Sequence, residues 1–452
     1  MRRCAMLLIR GGIIVTMDAD RHIYRNGSIL VEGDRILEIG PAEQITAPPN
    51  AEVIEAGGMI VLPGFVSTHN HLYSAVVRSL PYAGYDNIDF SFISWMERFW
   101  FALLEDRVTQ EQIYAGTLAN CVDQIKRGIT TTSDTVEGSY ALPGALFAAD
   151  RACMESGIRA VLAFETTGRI SDENAILGLQ ENIEFFEMAQ KRNGRVTGRF
   201  GVHTTFTCST ELIQRVAEEA RNRGAGLQMH CCDDRWHSFD TTRRFGKRAV
   251  KYLEDIGFLG PDVLLAHCSY IDHLQDPPIF KKYDVKVSHN AESNAIFGFW
   301  PNMIPLLKED VTVGLGVDGM THSMFEIMRT AQMIHRIRYE NLEILPDEQV
   351  LAMATIEGAK CLQMEDEIGS LEVGKKADIL ILKNQSTVPL FERNVVTHIV
   401  SSSDRADVDT VIVDGQVVLR HGKMQTVDEE AVLALCRAEA IKLWEANGWP
   451  IP

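Results

Sequence analysis

Apolar and polar positions change rhythm twice along this chain. The first sixty residues read as short β-rich runs separated by turns: Leu7 to Thr16, then Ser28 to Val31 and Ile36 to Ile39 around Glu32-Gly33-Asp34, then Val53-Ile54 and Met59 to Leu62 on either side of Gly57-Gly58. From Val61 onward strand-like runs alternate with amphipathic stretches. The predicted strands are Val61–Ser67, Ile129–Ser133, Ile158–Glu165, Arg199–Thr204, Gly226–His230, Val263–His267, Val285–His289 and Val311–Val317. Between them the helical period recurs, as in Thr109–Arg127, Ala141–Ser156, Asp172–Arg192, Thr210–Arg223 and Thr242–Ile256. After a helical region at Asp347–Met364 the strand pattern returns in Ile379–Leu382, Val396–Ser401, Val408–Val413 and Gln416–Leu419, the last two joined by Asp414-Gly415, a strong hairpin signal. A helix over Asp428–Asn447 ends the pattern.

Eight strand–helix units predict an α/β fold, a (β/α)8 TIM-type barrel over 63–365. The strand-rich segments 1–62 and 366–424 are expected to meet as one small composite β-sandwich, with the C-terminal helix over 425–452. The long segment from Leu72 to Arg107 follows the first barrel strand and carries Tyr73, Tyr82, Tyr85, Phe90, Phe92 and Trp95. It either shapes a substrate pocket or packs against another domain or subunit.

Composition narrows the class. At 452 residues, 46% hydrophobic and 23% charged, the chain has material for a large core. A net charge of −18 argues against a nucleic-acid partner. The nine cysteines form no C-x-x-C pair, which suits a reducing compartment. The N-terminal Met1 to Ile9 imitates a signal peptide, but Arg10 interrupts it and no small-residue cleavage site follows. No apolar run is long enough to span a bilayer, so a cytoplasmic location is expected.

The chemistry sits where the strands should stop. His69-Asn70-His71 closes the first, and residues two apart on a strand point to the same side, so both imidazoles can grip one metal ion. Taken alone, the motif reads equally well as two surface histidines. Glu165 to Arg169 ends strand three, His203 strand four, His230-Cys231-Cys232-Asp233-Asp234 strand five, His267 strand six, His289 strand seven and Asp318 strand eight. All strand C-termini of a βα barrel open onto one face. Thirteen randomly scattered histidines would not end five of eight strands, so a shared site is the better reading.

These residues carry a resemblance. Leu62-Pro63-Gly64-Phe65-Val66 leading into His69-x-His71, Gly128-Ile129-Thr130-Thr131, His203, His230, Ala266-His267, Ser293-Asn294, Gly316-x-Asp318-Gly319 and Gly369-x-Leu371-x-x-Gly374-Lys375-x-Ala377-Asp378 together resemble the metal-dependent amidohydrolase superfamily. The closest subgroup is that of triazine hydrolases and cytosine- or guanine-deaminase-like aminohydrolases, over essentially the whole chain. The resemblance implies His69, His71, His230 and Asp318 as ligands of one divalent metal ion, zinc first and iron second. It implies His267 as the contact of the metal-bound water, and His203 as a substrate contact. Binuclear members carry a carboxylated lysine after strand four; Arg199–Thr207 has none, which fits a single metal.

One departure stands out. Where deaminases of this kind show His-x-x-Glu, this chain has His230-x-x-Asp233. Asp233 keeps the carboxylate for proton transfer but sets it back by about 1.5 Å, half the usual hydrogen-bond reach. Asp234 is the other candidate, against an exposed loop carboxylate. His289 either touches substrate or braces its loop. Glu165 is a further substrate-contact candidate, with Arg169 as either its ion-pair partner or a second polar contact.

The implied reaction is the replacement of an exocyclic amino group on a purine, pterin, pyrimidine or triazine by metal-activated water. The alternatives are cleavage of an amide, urea-like or C–Cl bond on the same site, and a non-catalytic binding homologue. The expected partners are a small nitrogen heterocycle and further copies of the chain, as a dimer or tetramer, with no nucleic acid and no membrane.

Overall fold

The computed structural model describes residues 6–80, 91–319 and 321–448. Strands from both ends of the chain build one nine-stranded sheet. These are β1 (Met6–Val15), β2 (Ile23–Glu32), β3 (Arg35–Pro41), β4 (Glu52–Glu55) and β5 (Ile60–Pro63) from the N-terminal part. The eight barrel strands follow them, with one of those interrupted: β6 (Phe65–Ser67), β7 (Ile129–Val136), β8 (Arg159–Thr166), β9 (Val196–Gly198) and β10 (Phe200–Val202), β11 (Leu227–Cys231), β12 (Val263–His267), β13 (Lys286–His289) and β14 (Val313–Leu315). The first sheet is completed by β15 (Ile379–Leu382), β16 (Val408–Val413), β17 (Gln416–Arg420) and β18 (Lys423–Met424).

The expected sandwich takes the form of a continuous hydrogen-bonded sheet in the order β18-β17-β16-β15-β5-β1-β2-β3, with β4 also on β1. The seam is the antiparallel pair β15–β5, where Ile379 faces Pro63 and Leu382 faces Ile60. Ile9, Ile14, Val31 and Val61 share a buried cluster with Ile379, Ile381 and Ile412, so residues from both ends fill one core.

The second sheet runs β6-β7-β8-β10-β11-β12-β13-β14, all parallel, with β9 on β8. The backbone bond Thr68 N→Leu315 O (2.9 Å) joins its two ends. This is the (β/α)8 barrel, nearly closed, with helices between successive strands.

Four expected elements differ. Val61–Ser67 is not one strand: Gly64 separates β5 in the first sheet from β6 in the barrel. A Cβ at Gly64 would lie 2.1 Å from Thr130 Cγ2, so the chain crosses between sheets where only glycine fits. The helical stretch Thr242–Ile256 is two helices, Arg235–Phe245 and Ala249–Asp255, divided at Gly246 with φ +66°. Asp347–Met364 likewise divides into Asp347–Met353 and Ile356–Cys361. Val395–Ser401 is a helix, not the expected strand. Its buried residues Val395, Val396, Ile399 and Val400 recur at helical spacing, and that period outweighs their β-branched preference. No helix among the described residues is long and apolar enough to cross a membrane.

Candidate active site

Barrel closure assembles the site. β6 ends at Ser67, so His69, Asn70 and His71 lie just past its end, and Asn70 turns away to accept from Thr135 N (2.9 Å). The two flanking imidazoles face inward with their rings at 88°. Asp318 N donates to His69 O (3.0 Å), the same seam that joins the last strand to the first. His267 and Asp318 hold φ of +72° and +61°, a left-handed conformation that non-glycine residues keep mainly where surrounding structure and function demand it.

The four residues implied as metal ligands come together. His71 Nε2 lies 3.3 Å from His230 Nε2 and 3.4 Å from Asp318 Oδ1, and His69 Nε2 lies 3.8 Å from that same oxygen. Tetrahedral ligands about 2.05 Å from one ion stand about 3.3 Å apart. His71 Nδ1 faces Thr135 O (3.2 Å), which only accepts, so its Nε2 carries a lone pair. His230 Nδ1 lies 2.7 Å from Glu165 Oε1, and its Nε2 faces that of His71. One cation between the two Nε2 atoms would take a lone pair from each ring. The buried His69 Nε2 has no hydrogen-bond partner. The donor set therefore fits one divalent ion.

Electrostatics agree. Burial, with His230 and His71 nearby, holds His69 well below the usual imidazole range, and burial lowers His267 as well. Neutral imidazoles are what a metal ion requires. Burial pushes Asp318 up, but His267 and His71 overcome it and keep the carboxyl below its ordinary value. Burial and the charge of Glu137 push Glu165 up, and a cation on His230 would offset that rise. Among the described residues the cavity wall carries Glu137, Asp233 and Asp318 but no lysine or arginine.

The remaining candidates divide. His203 lines the cavity, and burial lowers it to about 3, so its ring is neutral. His267 lines it too. Asn294 Nδ2 lies 3.1 Å from its Nδ1 and Asn290 Nδ2 3.3 Å from its Nε2, which stands 3.7 Å from Asp318 Oδ2. Asp233 reaches the wall, and burial is outweighed there by His237, which keeps its carboxyl ionised. Glu165 and His289 are not among the described residues that line the cavity. Glu165 stands behind His230 as a carboxylate brace. His289 is fully buried, its ring 5.2 Å from His335. Arg169 does not pair with Glu165; it binds Glu105 (2.9 Å) and Asp106 (2.7 Å) and stacks on Phe101. Asp234 is no exposed loop carboxylate: it is buried and caps the helix Arg235–Phe245 by accepting from His237 N (2.8 Å).

Two residues escaped the sequence reading. Glu137 follows strand two, which runs to Val136 rather than Ser133, and accepts from Tyr73 Oη (2.8 Å) and Trp100 Nε1 (2.5 Å). A polar residue at a strand end was the available signal. His237 lies one helical turn beyond Asp233 and bonds it (2.8 Å). The segment after strand one contributes Phe92, Trp95, Met96 and Trp100 to the wall, opposite Phe206, Phe297 and Phe299. Tyr82, Tyr85 and Phe90 lie outside the described residues.

The barrel is shared with solved structures at low identity. An adenosine deaminase from Xanthomonas campestris with bound zinc matches at TM-score 0.86 and 20% identity, over 98% of this chain and 99% of that one. The atrazine chlorohydrolase of Arthrobacter aurescens, solved with zinc, matches at 0.82 and 21%, over 96% and 100%. In sequence, the chain is 35% identical to the 5′-deoxyadenosine deaminase of Methanosarcina acetivorans, over 97% of this chain and 98% of that protein. It is 32% identical to the 5-methylthioadenosine/S-adenosylhomocysteine deaminase of Pelotomaculum thermopropionicum, over 97% and 99%. The amidohydrolase family model matches residues 60–418. By that span, and by full-length relatives that are deaminases, the chain belongs to the amidohydrolase family and is a metal-dependent aminohydrolase of nitrogen heterocycles.

Proposed function

We propose that this enzyme removes the 6-amino group of an adenosine-type nucleoside whose 5′ position is deoxygenated or carries a small apolar group, with zinc as its metal. The observation that carries the reading is the aromatic cavity wall beside the histidine–aspartate cluster, with no cationic side chain among the described wall residues. A 5′-phosphate or an amino-acid tail would enter such a wall with its charge unpaired, at a cost of several kcal/mol. Full-length likeness to 5′-deoxyadenosine deaminases points the same way. The eight described cysteines are free and buried, in keeping with a reducing cytoplasm.

In this reading His69, His71, His230 and Asp318 hold the ion. When bound, it lowers the pKa of water from about 15.7 toward ~7 and so supplies a nucleophile at neutral pH. Asp318 and His267 orient the attacking oxygen. Asp233 takes one proton from the water and hands it to the departing nitrogen; a C–O bond forms, the C–N bond breaks and ammonia leaves. His203 and Glu137 are the polar groups that a nucleoside meets on the wall.

The test is ammonia release by the zinc-loaded enzyme from 5′-deoxyadenosine, 5′-methylthioadenosine, S-adenosylhomocysteine, AMP and cytosine. The first two are expected to exceed AMP in kcat/KM by about 100-fold, on the order of 3 kcal/mol. Turnover of cytosine alone would refute the reading. Asp233→Asn is expected to lose at least about 100-fold in kcat while keeping metal. Asp318→Ala is expected to fall well below one bound ion per chain, and unchanged stoichiometry would overturn the ligand set.

A further inference from the structure

The carboxylate of Asp233 is not free. His237 Nδ1 lies 2.8 Å from Asp233 Oδ1, and Asp234 N donates to the same oxygen (3.2 Å). Both bonds end on Oδ1, while Asp233 itself lines the cavity. His237 is fully buried on the first turn of the helix Arg235–Phe245 and has no access to the cavity. Its backbone N–H is bound by Asp234, which caps that helix. Oδ1 of Asp233 is therefore held by two donors, and no hydrogen bond among the described residues reaches Oδ2.

Hydrogen-bond direction says more. Thr241 Oγ1 lies 3.0 Å from His237 O, which only accepts. Thr205 Oγ1 lies 2.8 Å from Thr241 Oγ1 and 3.0 Å from His237 Nε2, and either hydroxyl can donate in the first contact. An ionised carboxylate only accepts, so in the 2.8 Å contact His237 Nδ1 is the donor and Asp233 Oδ1 the acceptor.

We infer that His237 is a positioning residue for the deamination: it pins Oδ1 of the shortened carboxylate so that Oδ2 alone works on water and the leaving nitrogen. A glutamate would reach substrate on its own flexible stem. Asp233, one methylene shorter, has fewer torsions, and its aim is set by the brace. The inference rests on the reading of Asp233 as the proton carrier. His237 keeps its own protons through the cycle, and only the proton on Oδ2 moves.

The experiment compares His237→Phe, His237→Asn and His237→Gln with Asp233→Asn in the zinc-loaded enzyme, with 5′-deoxyadenosine as substrate and bound zinc measured for each. An asparagine amide can stand where Nδ1 stands; a glutamine amide falls nearer Nε2. The expected result is a kcat loss of at least 100-fold in His237→Phe with KM within threefold and zinc unchanged. His237→Asn is expected to exceed His237→Gln by at least tenfold in kcat, a comparison that survives if the phenylalanine variant does not fold. Equal rates for the asparagine and glutamine variants, a phenylalanine variant within threefold of the parent, or a loss of zinc parallel to the loss of rate would each overturn the inference. If Asp233→Asn keeps its rate, the proton-carrier reading fails and the brace falls with it. If only Asp233→Asn loses rate, the reading stands and the brace alone is wrong.

Discussion

At the scale of single residues, the geometry of the site rests also on groups outside the cavity wall. Glu165 orients His230 from behind, as carboxylates commonly do for metal-ligating histidines. Removing its charge while keeping its shape is expected to weaken the metal without abolishing the fold. Glu165→Gln should raise the zinc dissociation constant by about 10- to 100-fold, measured by competition with a chromophoric chelator. A change under twofold would show that Glu165 does not orient a ligand. His69-x-His71 and Asp318 were legible in the sequence because their chemistry is uncommon and they sit at strand ends. Glu165 was legible as a site residue but not as a brace, since a carboxylate that binds substrate and one that binds a histidine look alike in one dimension.

At the scale of elements, strand–helix alternation carried most of the barrel, because a period of two and a period of 3.6 are local properties. The errors fell where local pattern and local preference disagreed. Val395–Ser401 is rich in β-branched residues yet has its apolar positions at helical spacing, and packing on neighbouring helices decided for the helix. The crossing at Gly64 is the opposite case: one apolar run serves two sheets. Gly64→Ala places a methyl 2.1 Å from Thr130 Cγ2 and is expected to cost about 3 kcal/mol or more, read as a lower urea midpoint with unchanged slope. A loss under 1 kcal/mol would mean that β6 and β7 can part there without strain.

At the scale of the whole molecule, a buried ion-pair network ties the barrel to the appended sheet. Arg159 on β8 makes two bonds to Asp378 (2.7 and 3.0 Å) and one to Asp414 (2.9 Å), and the two carboxylates hold its charge against burial. Deleting one partner of a buried pair strands the others. Arg159→Ala is expected to lose about 3–5 kcal/mol of unfolding free energy in urea, far beyond a surface pair. A loss under 1 kcal/mol would show that the sheet does not lean on this arginine. The sequence shows Ala377-Asp378 as the end of a family signature and Asp414-Gly415 as a hairpin turn. Their shared arginine lies more than two hundred residues upstream, and no local pattern links them.

The sequence by itself determined the element rhythm, the barrel class and the residues able to bind a metal, because periodicity and side-chain chemistry are written locally. The tertiary structure decided which of those residues meet. Closing β14 onto the end of β6 sets Asp318 beside His69, and the helix after β11 sets His237 against Asp233. Distances between strand ends are fixed by how a sheet closes on itself, and the aim of a carboxylate is fixed by the groups packed around it. Neither is a property of any short stretch of chain. His69 and His71 announce a metal site; only the closed barrel completes it.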